Sequence, residues 1–225
     1  MKRKQFISSI LPAAALLQPN GRAWAEKKYL DEEKVIAQPA YLKKGDIIGI
    51  TCPAGFITLE DIQPAVTKLK EWGFEIKIGN TVGKKDFTFG GTDEERVQDF
   101  QQMLDDKNIK AILCARGGYG TIRIVDKLNF TKFLLHPKWI IGFSDVTVLL
   151  NHIDKNCRMA GIHSKMCNSF PDNWLLAEDI QKETIESIRA CLTGNTMNYT
   201  AAPNTRNKEG VCIGQLTGGN LKIIE

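Results

Sequence analysis

The chain has 225 residues, 43% of them hydrophobic and 25% charged, an ordinary globular composition with room for one full domain and part of another. No apolar run reaches the roughly 20 residues that span a bilayer. The formal charge of +4 is matched by Lys2, Arg3, Lys4 and Arg22, which lie in a stretch without acids; the rest is near neutral, which argues against nucleic acid or an anionic membrane as partner.

Residues 1–25 read as a secretory signal peptide. Lys2-Arg3-Lys4 is a basic start, Phe6 to Leu17 a short apolar stretch, and Ala23-Trp24-Ala25 a small-x-small cleavage site. The bland alternative is a disordered extension. No arginine pair marks a twin-arginine route, and no cysteine follows the cleavage site as a lipid anchor would need. An exported, periplasmic protein is therefore expected. All six cysteines (Cys52, Cys114, Cys157, Cys167, Cys191 and Cys212) lie beyond this segment. An even count in an exported chain allows disulfides, but no CxxC pair suggests a metal or redox site. Cys52 and Cys114 end apolar runs and read as buried thiols.

Residues 26–44 form a polar arm, and an α/β domain is expected over 45–193. Ile47 to Thr51 is a strand, followed by the loop Cys52-Pro53-Ala54-Gly55. Leu59 to Trp72 has helical spacing, with Pro64 placing the first turn near Asp61. Phe74 to Ile78 alternates like a half-exposed strand. Thr92 with Glu95 three residues on is a capping box, and Val97, Phe100 and Leu104 line the helix it opens. Ile109 to Cys114 is a strand, Arg116 to Gly120 a glycine-rich turn and Thr121 to Leu128 a short helix. Lys138 to Phe143 is a buried strand running directly into a helix over Asp145 to Ile153. Met159 to Ile162 reads as a short strand. Leu176 to Leu192 reads as a helix, with Ile180, Ile185, Ile188 and Leu192 as its stripe. Alternating strands and helices predict a Rossmann/flavodoxin-like parallel sheet with helices on both faces. Residues 194–210, rich in Asn, Thr, Ala and Pro, read as a linker. Residues 211–225 read as the truncated start of a β-rich C-terminal domain, with its first strand over Val211 to Leu216.

Ligands of such sheets bind at the carboxyl ends of the strands, where three loops gather chemistry-bearing residues. Ser144 is the sole residue between a strand and a helix, the position of a nucleophile elbow. Gly142 matches the first glycine of G-x-S-x-G, whereas Val146 replaces the second. In this reading the Asp145 N–H donates to the oxyanion of a Ser144 adduct. The alternative is a plain N-cap serine. The Arg116-Gly117-Gly118-Tyr119-Gly120 loop lets the backbone approach a ligand, and Arg116 suits a substrate carboxylate. A tight turn with a solvated arginine is the alternative. A serine nucleophile also needs a base at about 3 Å. His152 lies eight residues on, about 12 Å along the helix, and His136 lies at the opposite sheet edge. His163 follows a strand but reads as a half-buried structural residue. The base is expected to be missing.

Taken together, Ala115-Arg116-Gly117-Gly118-Tyr119-Gly120, Gly142-Phe143-Ser144-Asp145 and Leu216-Thr217-Gly218-Gly219-Asn220-Leu221 resemble the L,D-carboxypeptidases of murein recycling, peptidase family S66. Gly45 to Ile50 with Pro53-Ala54-Gly55 fits as well, so the resemblance covers residues 40–225. It implies that Ser144 is the nucleophile and that Gly118 and Asp145 supply the oxyanion-hole N–H groups. Arg116, Gly117 and Tyr119 then line the substrate site. The family's catalytic Glu and His lie after the Gly-Gly-Asn-Leu motif and cannot be assigned here. His163-Ser164-Lys165-Met166 departs from the family's usual His-Gly-Pro-Met, which implies a reshaped pocket wall. The implied reaction releases a terminal D-amino acid, typically D-Ala, from a murein tetrapeptide, with no metal or other cofactor. The 225 residues alone are expected to be nearly inactive. Expected partners are the muropeptide and no nucleic acid; a homodimer is compatible with the chain. Two alternatives stand: a microcin-self-immunity-type serine peptidase, and a non-catalytic α/β domain that binds a peptide or anion.

Overall fold

The computed structural model describes residues 36–200, 202–208, 210–211 and 213–224. The expected signal peptide, most of the arm before Ala37, and Cys212 lie outside the described residues.

Apolar, largely β-branched runs form the strands β1 (Ile47–Thr51), β2 (Glu75–Ile78), β3 (Ile109–Cys114), β4 (Trp139–Gly142) and β5 (Ile162–His163). All pair in parallel, in the order β2-β1-β3-β4-β5. The helices are α1 (Gln63–Glu71), α2 (Asp93–Asp105), α3 (Thr131–Leu135), α4 (Thr147–Cys157), α5 (Asp179–Leu192) and a short α6 (Leu221–Ile224). Successive strand residues point to opposite faces, and the core divides accordingly. Ile48, Ile50, Leu113 and Ile141 pack with Leu69 of α1 and with Ile185 and Ile188 of α5. Ile112 and Ile140 pack with Phe100 of α2 and with Leu149 and Ile153 of α4. Helices therefore cover both faces, as the βαβ pattern predicts.

The chain leaves β1 toward β2 on one side and returns to place β3 on the other. That reversal opens a crevice at the carboxyl ends of β1 and β3. The register carries β4 and β5 into the same edge, with Gly142 beside His163.

Several elements depart from the sequence expectation. Residues 59–62 are turn, and α1 begins at Gln63 with Pro64 in its first turn, where a missing N–H costs nothing. Thr121 to Leu128 is a pair of short 3-10 turns, Thr121–Arg123 and Val125–Lys127. Helix α3 was not expected. Helix α5 starts only at Asp179, and Ile180 is 66% exposed rather than part of the buried stripe. The described residues of 211–216 form no strand; α6 follows them. A strand needs a partner to satisfy its ladder, and none lies alongside this stretch among the described residues.

The amino end of β4 holds a fully buried lysine. Lys138 Nζ donates to the carbonyls of Met103, Leu104 and Asp106 at 3.0, 2.8 and 2.6 Å. Its ammonium thus satisfies carbonyls that the last turn of α2 leaves open, at the negative end of the helix dipole. Burial pulls its pKa down to about 8.

Candidate active site

Ser144 has φ of +56°, a left-handed conformation that costs a non-glycine residue about 1–2 kcal/mol. The turn is this sharp because β4 ends at Gly142 and the next helical turn starts at once, as a 3-10 turn over Ser144–Val146 that α4 continues. A Cβ on Gly142 would lie 2.7 Å from Val146 Cγ1, so the tight return excludes a side chain there. The N-cap alternative does not hold. The Ser144 hydroxyl makes no capping bond, and the turn is closed by Val146 N–H donating to Phe143 O at 3.2 Å. Ser144 is half-buried, and among the described residues no side chain hydrogen-bonds its Oγ.

The glycine-rich loop lies directly against this serine. A Cβ on Gly117 would sit 3.1 Å from Ser144 Cβ and 3.4 Å from Ser144 Oγ, with Met166 Cε at 3.2 Å. Gly118 follows at φ +113°, open only to glycine in practice. Neither Gly118 nor Asp145 donates its N–H to any described residue. A developing oxyanion requires free main-chain N–H groups, and Gly118 and Asp145 directly follow Gly117 and the serine it packs against.

Other contacts fix the loops in place. Gly55 N–H donates to Gly117 O at 2.9 Å, joining the β1 and β3 loops. The Asp145 side chain is buried and accepts from Thr121 N–H at 2.8 Å; besides its free N–H, Asp145 thus anchors the far end of the glycine loop. Arg116 is exposed and donates to Phe56 O at 3.0 Å. Part of its fork is therefore committed to the protein. Tyr119 is 57% exposed, its ring tilted against Phe89 with centroids 6.2 Å apart. The Gly218-Gly219-Asn220 motif reaches the same place: Asn220 N–H donates to Thr147 Oγ1 at 3.0 Å, three residues past Ser144.

The histidines stay apart from the serine. His152 stacks on Phe130 with centroids 4.9 Å apart. His136 is exposed before the amino end of β4. His163 is at the correct edge, yet its ring is exposed, edge-on to Phe143, rather than half-buried. None hydrogen-bonds Ser144. Lys165 Nζ lies 5.1 Å from the Phe143 ring centroid, so the departure from His-Gly-Pro-Met places a cation beside the elbow. Among the described residues no group of three His, Cys, Asp or Glu could hold a metal ion. Cys52, Cys114, Cys157, Cys167 and Cys191 are free. Burial pushes the Cys52 thiol up to about 12 and raises Cys114 and Cys167 as well, so these are inert packing groups.

Two buried charged residues escape sequence reading. Arg96 Nη1 donates to Pro53 O at 2.6 Å and Gly120 O at 3.0 Å, and its Nη2 pairs with Asp93. Asp99 accepts from Thr51 Oγ1 at 2.6 Å, Thr81 Oγ1 at 2.5 Å and Asn80 N–H at 2.7 Å, tying the ends of β1 and β2 to α2. Their signal was positional: Arg96 falls four residues before Phe100 and Asp99 four before Met103, on the buried side of α2.

A parallel α/β sheet with a strained serine at the end of β4, faced by a glycine loop, defines the class: an α/β domain of serine-hydrolase-like elbow geometry. Residues 48–164 match the LD-carboxypeptidase N-terminal domain of peptidase family S66, and the chain belongs to that family. It is 32% identical over 189 residues to a Bacillus subtilis protein named "Probable murein peptide carboxypeptidase", covering 83% of this chain and 58% of that one. It is 27% identical over 181 residues to the murein tetrapeptide carboxypeptidase of Pseudomonas aeruginosa, covering 79% and 58%. Among solved structures it is similar to the microcin C7 self-immunity protein MccF in complex with aspartyl sulfamoyl adenosine, with a TM-score of 0.64, 25% identity, and coverage of 81% of this chain and 57% of that one. The chain thus spans a little under three fifths of these relatives.

Proposed function

We propose that this chain supplies the nucleophile and oxyanion hole of an exported serine L,D-carboxypeptidase. The enzyme releases the terminal D-amino acid, typically D-Ala, from murein tetrapeptides. Ser144 Oγ attacks the carbonyl of the L,D bond. The N–H groups of Gly118 and Asp145 hold the tetrahedral oxyanion. The D-amino acid leaves, and water hydrolyses the acyl-serine. Arg116, Gly117 and Tyr119 line the substrate side, with Arg116 near the leaving carboxylate. The observation that carries this reading is the left-handed Ser144 with Gly117 packed against its hydroxyl.

The proton of Ser144 needs a base, and the described histidines do not provide one. We assign that role to residues of the C-terminal domain in which the family carries its Glu and His. Residues 1–225 alone are then expected to release D-Ala at least a thousandfold slower than the protein with its base, since a serine without its partner loses most of its rate.

The likeness to MccF supports a second reading, a peptidase acting on peptide-nucleotide compounds. The test is a substrate panel on the full-length protein: murein tetrapeptide, the pentapeptide ending in a D,D bond, and aspartyl sulfamoyl adenosine. Release of D-Ala from the tetrapeptide alone supports the lead reading. Turnover of the adenosine compound alone overturns it in favour of the second. No turnover of any of the three leaves a non-catalytic binding domain. Export is tested separately: the secreted protein is expected to begin at Glu26.

A further inference from the structure

We infer that Arg96 is a positioning residue, a buried guanidinium staple that sets the oxyanion loop against Ser144. The inference rests on the serine-nucleophile reading and goes beyond it, since Arg96 is wholly buried and is none of the residues assigned to attack, oxyanion hole or substrate lining.

Arg96 lies on α2, yet it is wholly buried. Its Nη1 reaches two carbonyls on two different loops: Pro53 O, two residues before Gly55, and Gly120 O, two residues after Gly118. These loops also meet through Gly55 N–H and Gly117 O. One guanidinium nitrogen and one backbone bond therefore close a ring that contains Gly118 and Gly117, the glycine that faces Ser144. Asp93 pairs with Nη2 and also accepts both oxygens' worth of contact from Arg123 Nε, at 3.0 Å each. The Phe89 ring lies 4.9 Å from the guanidinium carbon. Among the described residues Arg96 Nε has no hydrogen-bond partner, and the side chain is held through its two terminal nitrogens.

A buried cation is costly unless it is fully used. Here every hydrogen bond of the guanidinium goes to the loops or to Asp93 in the first turn of α2. What an apolar residue cannot do is hold two carbonyls from two loops at one point. Gly120 shows how closely the fit is drawn: a Cβ there would lie 2.7 Å from Arg96 Nη1 and 2.9 Å from Phe89 Cδ1. A displacement of about 1 Å in a positioned catalytic group can cost about a hundredfold in rate, so a loop tether of this kind controls how well Gly118 N–H meets an oxyanion.

The probe is a peptide boronic acid in which boron replaces the scissile carbonyl carbon of the L-configured residue that precedes the leaving D-amino acid; the boron forms a reversible tetrahedral adduct with a serine hydroxyl and leaves a B–O⁻ where the oxyanion would sit. Affinity is read by boron NMR on the whole chain, and amide hydrogen exchange is read in parallel. Wild type forms the adduct and Ser144→Ala does not; an unchanged signal in Ser144→Ala overturns the nucleophile reading without touching Arg96. Arg96→Met weakens the adduct at least tenfold, and Arg96→Lys, which keeps the charge and can still reach one carbonyl, recovers part of the loss. Exchange at Gly117 to Tyr119 rises in Arg96→Met while exchange in β1 and β3 stays at the wild-type rate. Should Arg96→Met fail to fold, Gly120→Ala displaces the same guanidinium from the loop side and is expected to weaken the adduct likewise. Wild-type affinity together with wild-type exchange in whichever of these variants folds would overturn the role of Arg96. If wild type forms no adduct, the exchange pattern alone decides it.

Discussion

At the scale of single residues, Ser144 combines two opposed demands. Its hydroxyl must project from the turn, and its backbone must adopt a conformation that disfavours any Cβ. Glycine would relieve the strain but removes the hydroxyl and adds chain entropy of about 0.5–1 kcal/mol on folding. The strain term is the larger, so Ser144→Gly should be more stable than Ser144→Ala by roughly 0.5–1 kcal/mol, read as the difference in denaturant midpoint. Equal or lower stability would show that the turn is unstrained. Asp93 gives a second test. The Arg123 guanidinium donating to it holds its carboxyl below its ordinary value of 3.8. A carboxylate with a depressed folded pKa adds stability above its unfolded value and loses it as pH falls through the folded one. Asp93→Asn should therefore be less stable than wild type at pH 7, with the gap closing as pH drops below 3.8. A gap that is independent of pH would contradict the pairing.

At the scale of elements, much was legible because local chemistry decides it. The capping box at Thr92 and Glu95 is formed as the sequence predicts, with Glu95 N–H donating to Thr92 Oγ1 at 3.2 Å and Thr92 N–H to Glu95 Oε2 at 2.9 Å. Strands β1 and β3 match their apolar runs. The misses share a cause, which is that partners distant in sequence override a local pattern. Lys138 read only as the first residue of a buried strand; it is buried, and it caps α2 from 34 positions beyond Leu104. Lys138→Met leaves three carbonyls short of a donor and should destabilise the fold by about 2 kcal/mol; a change within 0.5 kcal/mol would make the lysine incidental. Arg96 and Asp99 occupy core positions on α2 where periodicity predicts apolar residues, and only the placement of the loops explains them. Val211 to Leu216 has strand-like composition but no neighbour to pair with among the described residues.

At the scale of the whole molecule, three motifs spread between Ala115 and Leu221 meet at one sheet edge. The sequence placed two of them there from topology alone, because loops after β3 and β4 must lie at the carboxyl ends of a parallel sheet. The convergence of the third, through Asn220 on Thr147, was not legible, since nothing in a loop's composition says which helix it will lie on. The family resemblance read from those motifs is matched by the S66 domain over residues 48–164, while the roles of individual residues are proposals carried over from that resemblance. In the proposed reading this arrangement supplies a nucleophile and two N–H donors, and no histidine among the described residues bonds to Ser144. The account therefore predicts a tetrahedral adduct with an oxyanion mimic but almost no turnover from residues 1–225.

The most direct measurement is D-Ala release from murein tetrapeptide by the full-length protein, compared between wild type and Ser144→Ala. The account predicts a loss of at least a thousandfold in kcat with the fold intact by circular dichroism. Ser144→Ala turning over within tenfold of wild type would contradict it.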